Sequence, residues 1–309
     1  MNHQHAVGLK GRQGLAQLAT QADAIVYTVL NLDGCGLSTL PTTVKRLTNL
    51  ETLNLYNNAL NALPPSIWHL AALVTLNLAA NRFSALPEAI GQLSNLAMLD
   101  LGHNQLTALP AALGALHKLR FLYASNNQLT TLPPSLQQLQ ALVYLNLTDN
   151  QFTVLPEWIG AFSSLTECRL YNNRLATLPA TLGRLTRLRE LYVMNNQLTT
   201  LPTSIGDLAS LRKLSLQSNQ LTVLPETIGN LTQLTELDLR FNQLTELPPT
   251  LANLKQLRFL DLRANRLRAL PPNLQALTQL EKLDLRWNEL ATYPAWLEEL
   301  EERGCLVYA

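Results

Sequence analysis

The chain has 309 residues, 47% of them apolar and 15% charged, with a formal net charge of +1. That balance supplies ample core material and no global field to draw the chain toward nucleic acid or an anionic membrane. No run of about 18 apolar residues predicts a membrane span, and the first thirty residues lack the basic-then-apolar order of a secretory signal.

In chain order, residues 1–8 read as a loose polar tail. Residues 12–26 put Leu15, Leu18, Ala22 and Ile25 near one helical face, which predicts a capping helix. A degenerate repeat follows, carried by Tyr27, Leu30, Leu32, Leu37 and Leu40. Eleven full copies then start at Leu50 and recur every 23 residues to Leu280. Each reads L-x-x-L-x-L-x-x-N-x-L-x-x-L-P-x-x-I/L-G-x-L-x-x, and all sixteen prolines sit at its proline position or directly after it. Trp296, Leu297 and Leu300 predict a closing helix, with Glu298, Glu299, Glu301 and Glu302 on its wet side. Leu306 and Tyr308 read as a truncated last copy that gives a final edge strand. The expected division is therefore 1–26 as tail and cap, 27–294 as repeats and 295–309 as the closing cap.

The physics of one unit is direct. In Leu53-Asn54-Leu55 the alternation has period two, so the leucines share one face and Asn54 takes the other. No unit closes its own core, and only stacking buries the leucines as a continuous column. The in-phase asparagines, from Asn58 to Asn288, supply two donors and an acceptor to backbone that bends out of the strand. Proline fixes φ where the return segment begins. Glycines such as Gly91, Gly114 and Gly206 are expected to let that segment turn.

These motifs resemble the leucine-rich-repeat superfamily over residues 27 to 308. The 23-residue L-P-x-x-I-G-x-L unit looks like the class found in bacterial leucine-rich-repeat proteins, type III effectors among them, and in Ras-associated scaffolds. The resemblance implies an α/β solenoid: a horseshoe with a parallel sheet on its concave face and short helical or extended segments on its convex face. It also implies a non-catalytic adaptor or recognition module that binds protein. Extracellular members usually carry cysteine-rich caps. Here Cys35, Cys168 and Cys305 are three and far apart, which favours a reducing, cytoplasmic setting.

Chemistry-bearing motifs are sparse. Cys168 stands at a leucine position and reads as buried, Cys35 takes the asparagine position of the first copy, and Cys305 reads as accessible in the cap. The five histidines have no metal-ligand spacing, and no phosphate loop or nucleophile elbow occurs. No catalytic residue, metal or cofactor is expected.

The outward strand positions, third, fifth and seventh in each copy, carry the functional signal. Five of eight tyrosines sit there: Tyr56, Tyr123, Tyr144, Tyr171 and Tyr192. Phe121, Phe259, Met98 and Met194 join them. Aromatics opposite a core are what protein-binding hot spots favour, although aromatics also suit strands for their own sake. The expected contact centre is Phe121, Tyr123, Tyr144, Arg169, Tyr171, Tyr192 and Met194, with Glu167 and Glu190 setting polarity. Arg240, Arg263 and Arg286 form a row beside Asp238, Asp261 and Asp284. Those rows fit a polar docking patch or a ladder that satisfies itself. Phe241 and Trp287 fall at the rim. Two further functions stay open: an effector or recognition subunit of a split enzyme, such as a ubiquitin ligase, delivered to a host cell without a signal peptide, and binding of a glycan or small ligand by the tyrosines. A monomer with a protein partner is the simplest expectation, with no role for nucleic acid or membrane.

Overall fold

A computed structural model describes residues 8–20 and 26–309. Its chain falls into two compact units that part after Asn150.

In the first unit the strands are β1 (Gly8–Lys10), β2 (Val29–Asn31), β3 (Thr52–Asn54), β4 (Thr75–Asn77), β5 (Met98–Asp100), β6 (Phe121–Tyr123) and β7 (Tyr144–Asn146). Each pairs in parallel with the next, residue for residue at the repeat spacing from β2 onward. Helix α1 (Gly11–Thr20) follows β1. Gly8, expected in the tail, thus belongs to a strand, and β1 with buried Leu9 is an edge that sequence periodicity did not reveal. Of the capping-helix residues, Leu15 is only half-buried, and the buried position beside it is Gly14. Ala22, Ile25 and the side chain of Leu18 lie outside the described residues.

The second unit repeats the plan with β8 (Glu167–Arg169), β9 (Glu190–Tyr192), β10 (Lys213–Ser215), β11 (Glu236–Asp238), β12 (Phe259–Asp261), β13 (Lys282–Asp284) and β14 (Leu306–Tyr308). Again every pair is parallel. Helix α2 (Trp296–Glu302) buries Trp296, Leu297 and Leu300 and leaves its glutamates exposed. The last strand corrects an expectation. Val307, not Leu306 or Tyr308, pairs with the core residue Leu283. A one-residue slip exchanges the faces of a strand, so Leu306 and Tyr308 lie on the outward face, exposed.

The mean strand is only three residues because the leucine column, not the ladder, holds the coils. Leu53, Leu55, Leu76, Leu214, Leu216 and their repeats have no solvent exposure beyond 2%. Each proline of the 23-residue series from Pro41 to Pro271 caps a five-residue 3-10 turn, as where Pro64 carbonyl accepts from Ile67 N–H at 3.0 Å. The proline stands where the chain enters the turn and no N–H is needed.

The repeat asparagines act as expected. Asn219 Nδ2 donates to Val193 and Leu216 carbonyls at 3.0 Å and to Gln217 at 3.3 Å, while its Oδ1 accepts from Leu198 N–H at 3.0 Å. Two of these four bonds reach the preceding coil. The glycines do something else than turn the chain. A Cβ on Gly206 would lie 2.3 Å from Thr227 carbonyl oxygen, and one on Gly114 would lie 2.4 Å from Ser135 carbonyl oxygen. The repeat needs glycine for close approach of stacked turns. A hydroxyl ladder tightens the same side: Ser204 Oγ donates to Ala180 carbonyl at 2.6 Å and Thr250 Oγ1 to Glu226 at 2.6 Å.

Candidate functional site

Chain reversal after each strand passes through a left-handed residue just before the asparagine. Eleven of these, from Asn57 to Trp287, have φ between 51° and 62°, and none is glycine. Asparagine and aspartate tolerate that region, but a bulky residue there is strained. Phe241 (φ 55°) and Trp287 (φ 62°) are such residues; their rings meet at 6.3 Å on the exposed rim.

The fifth position has a local task that its exposure conceals. Asn54 Oδ1 accepts from Tyr56 N–H at 3.0 Å, and Asp100 Oδ1 accepts from Gly102 N–H at 2.9 Å. Asp238 and Asp261 do the same two residues on, at 3.2 Å. A short side chain closing its own backbone turn is a familiar use of Asn and Asp.

In the first unit the outward face carries Met98, Phe121 and Tyr144 in register and Tyr123 beside them. Phe121, Tyr123 and Tyr144 are half-buried rather than open. The ring contact is diagonal, Tyr123 against Tyr144 at 4.7 Å. Arg120 guanidinium stands 5.7 Å from the Phe121 ring. Ala79, Gly102 and Thr148 are buried, so the seventh position is not uniformly solvent-facing. Among the described residues no lysine or arginine pairs with Asp100, which lies in this face, and burial pushes its carboxyl above the usual range despite the Gly102 N–H and nearby His103.

In the second unit the same positions hold six cations and six carboxylates. Arg169 Nε meets Glu167 at 2.6 Å, and its guanidinium lies 5.3 Å from the Tyr192 ring. Tyr192 hydroxyl donates to Glu190 at 2.6 Å. Burial, reinforced by that bond and the glutamate charges, drives the phenol well above its ordinary value. Tyr171 and Met194 lie past their strand ends, half-buried. Lys213 pairs with Glu236 at 3.2 Å.

The aspartate and arginine rows interlock. Arg240 meets Asp238 at 3.2 Å and Gln217. Arg263 meets Asp261 at 2.6 Å and Asp284 at 3.3 Å, and Arg286 meets Asp284 at 2.6 Å. Asp284 has no solvent exposure at all, against the expectation of an open fifth position. Arg263 and Arg286 lie against it, and its register partner in β14 is Tyr308, whose ring stands 4.9 Å from the Arg286 guanidinium. Burial of Asp284 opposes ionisation, yet the Arg286 hydrogen bonds and the Arg263 and Arg286 charges hold the carboxyl below the usual range. Of the two readings of these rows, the self-satisfied ladder describes the contacts.

Between these groups lies a depression with a cavity volume of 370 Å³, floored by Leu214, Leu237 and Leu260 and walled by Tyr192, Lys213, Glu236, Phe259 and Lys282. Phe259 is 41% exposed, the most open aromatic among the three strand residues of any outward row. Lys213, Glu236, Phe259 and Lys282 were not in the expected contact set. They do stand in the third-position column, where the alternation of charge around one aromatic was the available signal.

Nucleophilic chemistry finds no support in the cysteines. Cys168 is fully buried and its thiol is pushed up to about 12 by burial and the Glu167 charge. Cys305, expected to be accessible, is buried, which raises its thiol too. Cys35 keeps part of the asparagine role, its Sγ donating to Asp33 carbonyl at 3.6 Å. Among the described residues no cluster of histidine, cysteine and carboxylate could hold a metal ion, and no helix is long and apolar enough to cross a membrane.

Comparison with known proteins agrees with this geometry. A comparison with curated protein sequences found no match. The family described as leucine-rich repeat region matches residues 133–223 and 203–306, and that described as leucine rich repeat matches 28–83 and 84–129. Among solved structures, a leucine-rich-repeat protein of Leptospira interrogans is 31% identical, with 92% of this chain and 84% of that one covered, at a TM-score of 0.66. The ectodomain of the Arabidopsis thaliana receptor kinase GASSHO1/SCHENGEN3, solved with CASPARIAN STRIP INTEGRITY FACTOR 2, is 29% identical. There 97% of this chain covers only 42% of the plant one, at a TM-score of 0.73. The leucine-rich-repeat part of FLRT2, from an octameric complex with Latrophilin 3 and Unc5D, is 25% identical with 89% and 87% covered, at a TM-score of 0.72. Buried leucine columns, asparagine-tied coils and parallel three-residue strands therefore have a shared origin: the chain belongs to the leucine-rich-repeat family.

Proposed function

We propose that this chain is a non-catalytic recognition module that docks a protein partner on the outward strand face of its second unit. The observation that carries the reading is the depression between Tyr192 and Phe259, opposite the leucine core. Its walls stand on paired strands, so little side-chain and backbone freedom is left to lose on binding. Glu167, Arg169, Tyr171, Glu190 and Met194 extend the surface on one side, and Arg240, Arg263 and Arg286 form its polar margin. Phe121, Tyr123 and Tyr144 give the first unit a smaller aromatic surface of its own. Residues 27–294 serve as the binding body and the flanking segments as caps that cover the terminal leucines. The plant ectodomain and FLRT2, both described in complexes, support a protein rather than a small ligand as partner.

Affinity capture tests this. The variant with Tyr171, Tyr192 and Phe259 replaced by alanine should lose the captured protein, while Arg184→Ala, on a 3-10 turn, should retain it. Capture that survives the triple variant and fails with Arg184→Ala places the binding surface on the wrong side of the sheet.

A further inference from the structure

Charge pairing on the second unit's face is incomplete in an ordered way. Ten of its twelve charged side chains form the five within-face pairs already described, Glu167 with Arg169 through Asp284 with Arg286. The remaining two are Glu190 and Lys282. Among the described residues, no cation lies within 4.0 Å of the Glu190 carboxylate and no carboxylate within 4.0 Å of the Lys282 ammonium. Glu190 accepts only the Tyr192 hydroxyl, and Lys282 rests 5.3 Å from the Tyr308 ring.

These two groups mark the ends of one row. Glu190, Lys213, Glu236, Phe259 and Lys282 are successive register partners across β9 to β13. Four strand spacings of about 4.8 Å separate the ends by about 19 Å. An extended chain covers that distance in about six residues. The exposed Phe259 ring stands one strand from Lys282 and three from Glu190, so the apolar contact is off-centre, toward the cationic end. Paired surface charges gain little from a new partner, whereas an unpaired charge gains an ion pair and steers the encounter.

We infer that the depression takes an extended segment of a partner protein laid across β9 to β13. A basic side chain of that segment meets Glu190, an acidic side chain about five residues away meets Lys282, and an apolar side chain next to the acid covers Phe259. The inference rests on the docking face proposed above and adds the chemistry of its occupant.

A displayed library of random nonapeptides, panned on the full chain, tests it. Enriched peptides should carry Lys or Arg about five residues from Asp or Glu, with an apolar residue one or two positions from the acid. A fluorescently labelled peptide of this kind should bind Lys282→Glu at least tenfold more weakly than the unaltered chain. Replacing the peptide's acid with lysine should restore binding to Lys282→Glu. Phe259→Ala should weaken both combinations. Three outcomes overturn the inference: no enriched peptide, enriched peptides without the spaced charges, or equal affinity for the unaltered chain and Lys282→Glu. None of these bears on the aromatic capture experiment, which decides separately whether the face docks protein at all.

Discussion

Residues 26–150 and 151–309 stack the same 23-residue unit, yet their outward strand faces share little chemistry. The first face holds threonine, asparagine, small residues and the Tyr123–Tyr144 contact, with Asp100 as its one charged strand residue between β3 and β7. The second holds twelve charges and a depression beside Phe259. Leucine, asparagine, proline and glycine positions are alike in both. The constraint falls on residues that a neighbouring coil touches, and the outward positions are left free to carry recognition. If that is correct, substitutions in the shared frame should have equal effects in both units, and substitutions in the faces should not.

The largest effect is expected at the asparagines. Asn127→Ala and Asn219→Ala each remove one acceptor and the donors to three carbonyls in a buried bend. Unsatisfied buried groups cost about 1–3 kcal/mol each, so a loss of about 3 kcal/mol or more is expected at both positions in chemical denaturation. A clear inequality between them would show that the frame is not shared. Next comes glycine. Gly114→Ala and Gly206→Ala drive a methyl group into a carbonyl oxygen of the following coil. Overpacking of this kind costs about 1–3 kcal/mol, and the melting temperature should fall in both variants, where a glycine needed only for turning would lose about 1 kcal/mol or less.

The faces should differ in sign. Asp284 has its folded carboxyl below the ordinary 3.8, so its contribution is complete above that value and is lost as pH falls through the folded one. Asp100 has its folded carboxyl above 3.8, so it favours the folded chain at low pH, and that advantage disappears as pH rises through the raised value. At neutral pH, Asp284→Asn should destabilise by about 2 kcal/mol, because two guanidinium groups lose their anion. Asp100→Asn keeps the bond to Gly102 N–H and should be neutral or stabilising by under about 1 kcal/mol. Carboxyl carbon shifts followed by NMR titration should order the two groups the same way. Equal signs for both substitutions would remove the electrostatic contrast between the units.

The fold was legible because the 23-residue period is a statement about contact: every leucine meets the leucine one coil away. Even the asparagine ties followed, since a buried amide must satisfy its donors. What escaped notice depends on distances between coils. Glycine at Gly206 looks like a turn residue until the Thr227 carbonyl is found beside it. The register of β14 was misread because Leu306 resembles a core leucine, and only pairing places Val307 against Leu283. In the candidate site the aromatic excess was visible in the column of third, fifth and seventh residues. The closure of Asp284 was not, because the same Asp-x-Arg spacing recurs in three strands, and Asp261 too meets two guanidinium groups, those of Arg263 and Arg240, yet stays half-buried.

The smallest effect returns to the shared frame and to a position that carries no pattern in sequence. Ala80 and Ala264 hold φ of 54° and 51°, in the left-handed region, where a Cβ crowds the following carbonyl. Glycine removes that cost but adds freedom to the unfolded chain, so the two terms oppose each other. The steric term is about 1–2 kcal/mol and the entropic one about 0.5–1 kcal/mol. Ala80→Gly and Ala264→Gly should therefore each stabilise by about 0.5–1 kcal/mol, alike in the two units. Phe241→Gly is the informative companion. It relieves the same backbone strain but also deletes the ring packed against Trp287. A gain smaller than at Ala264 would measure that exposed ring contact, and a gain equal to it would show that the rim aromatics hold their strained backbone without compensation inside the folded chain.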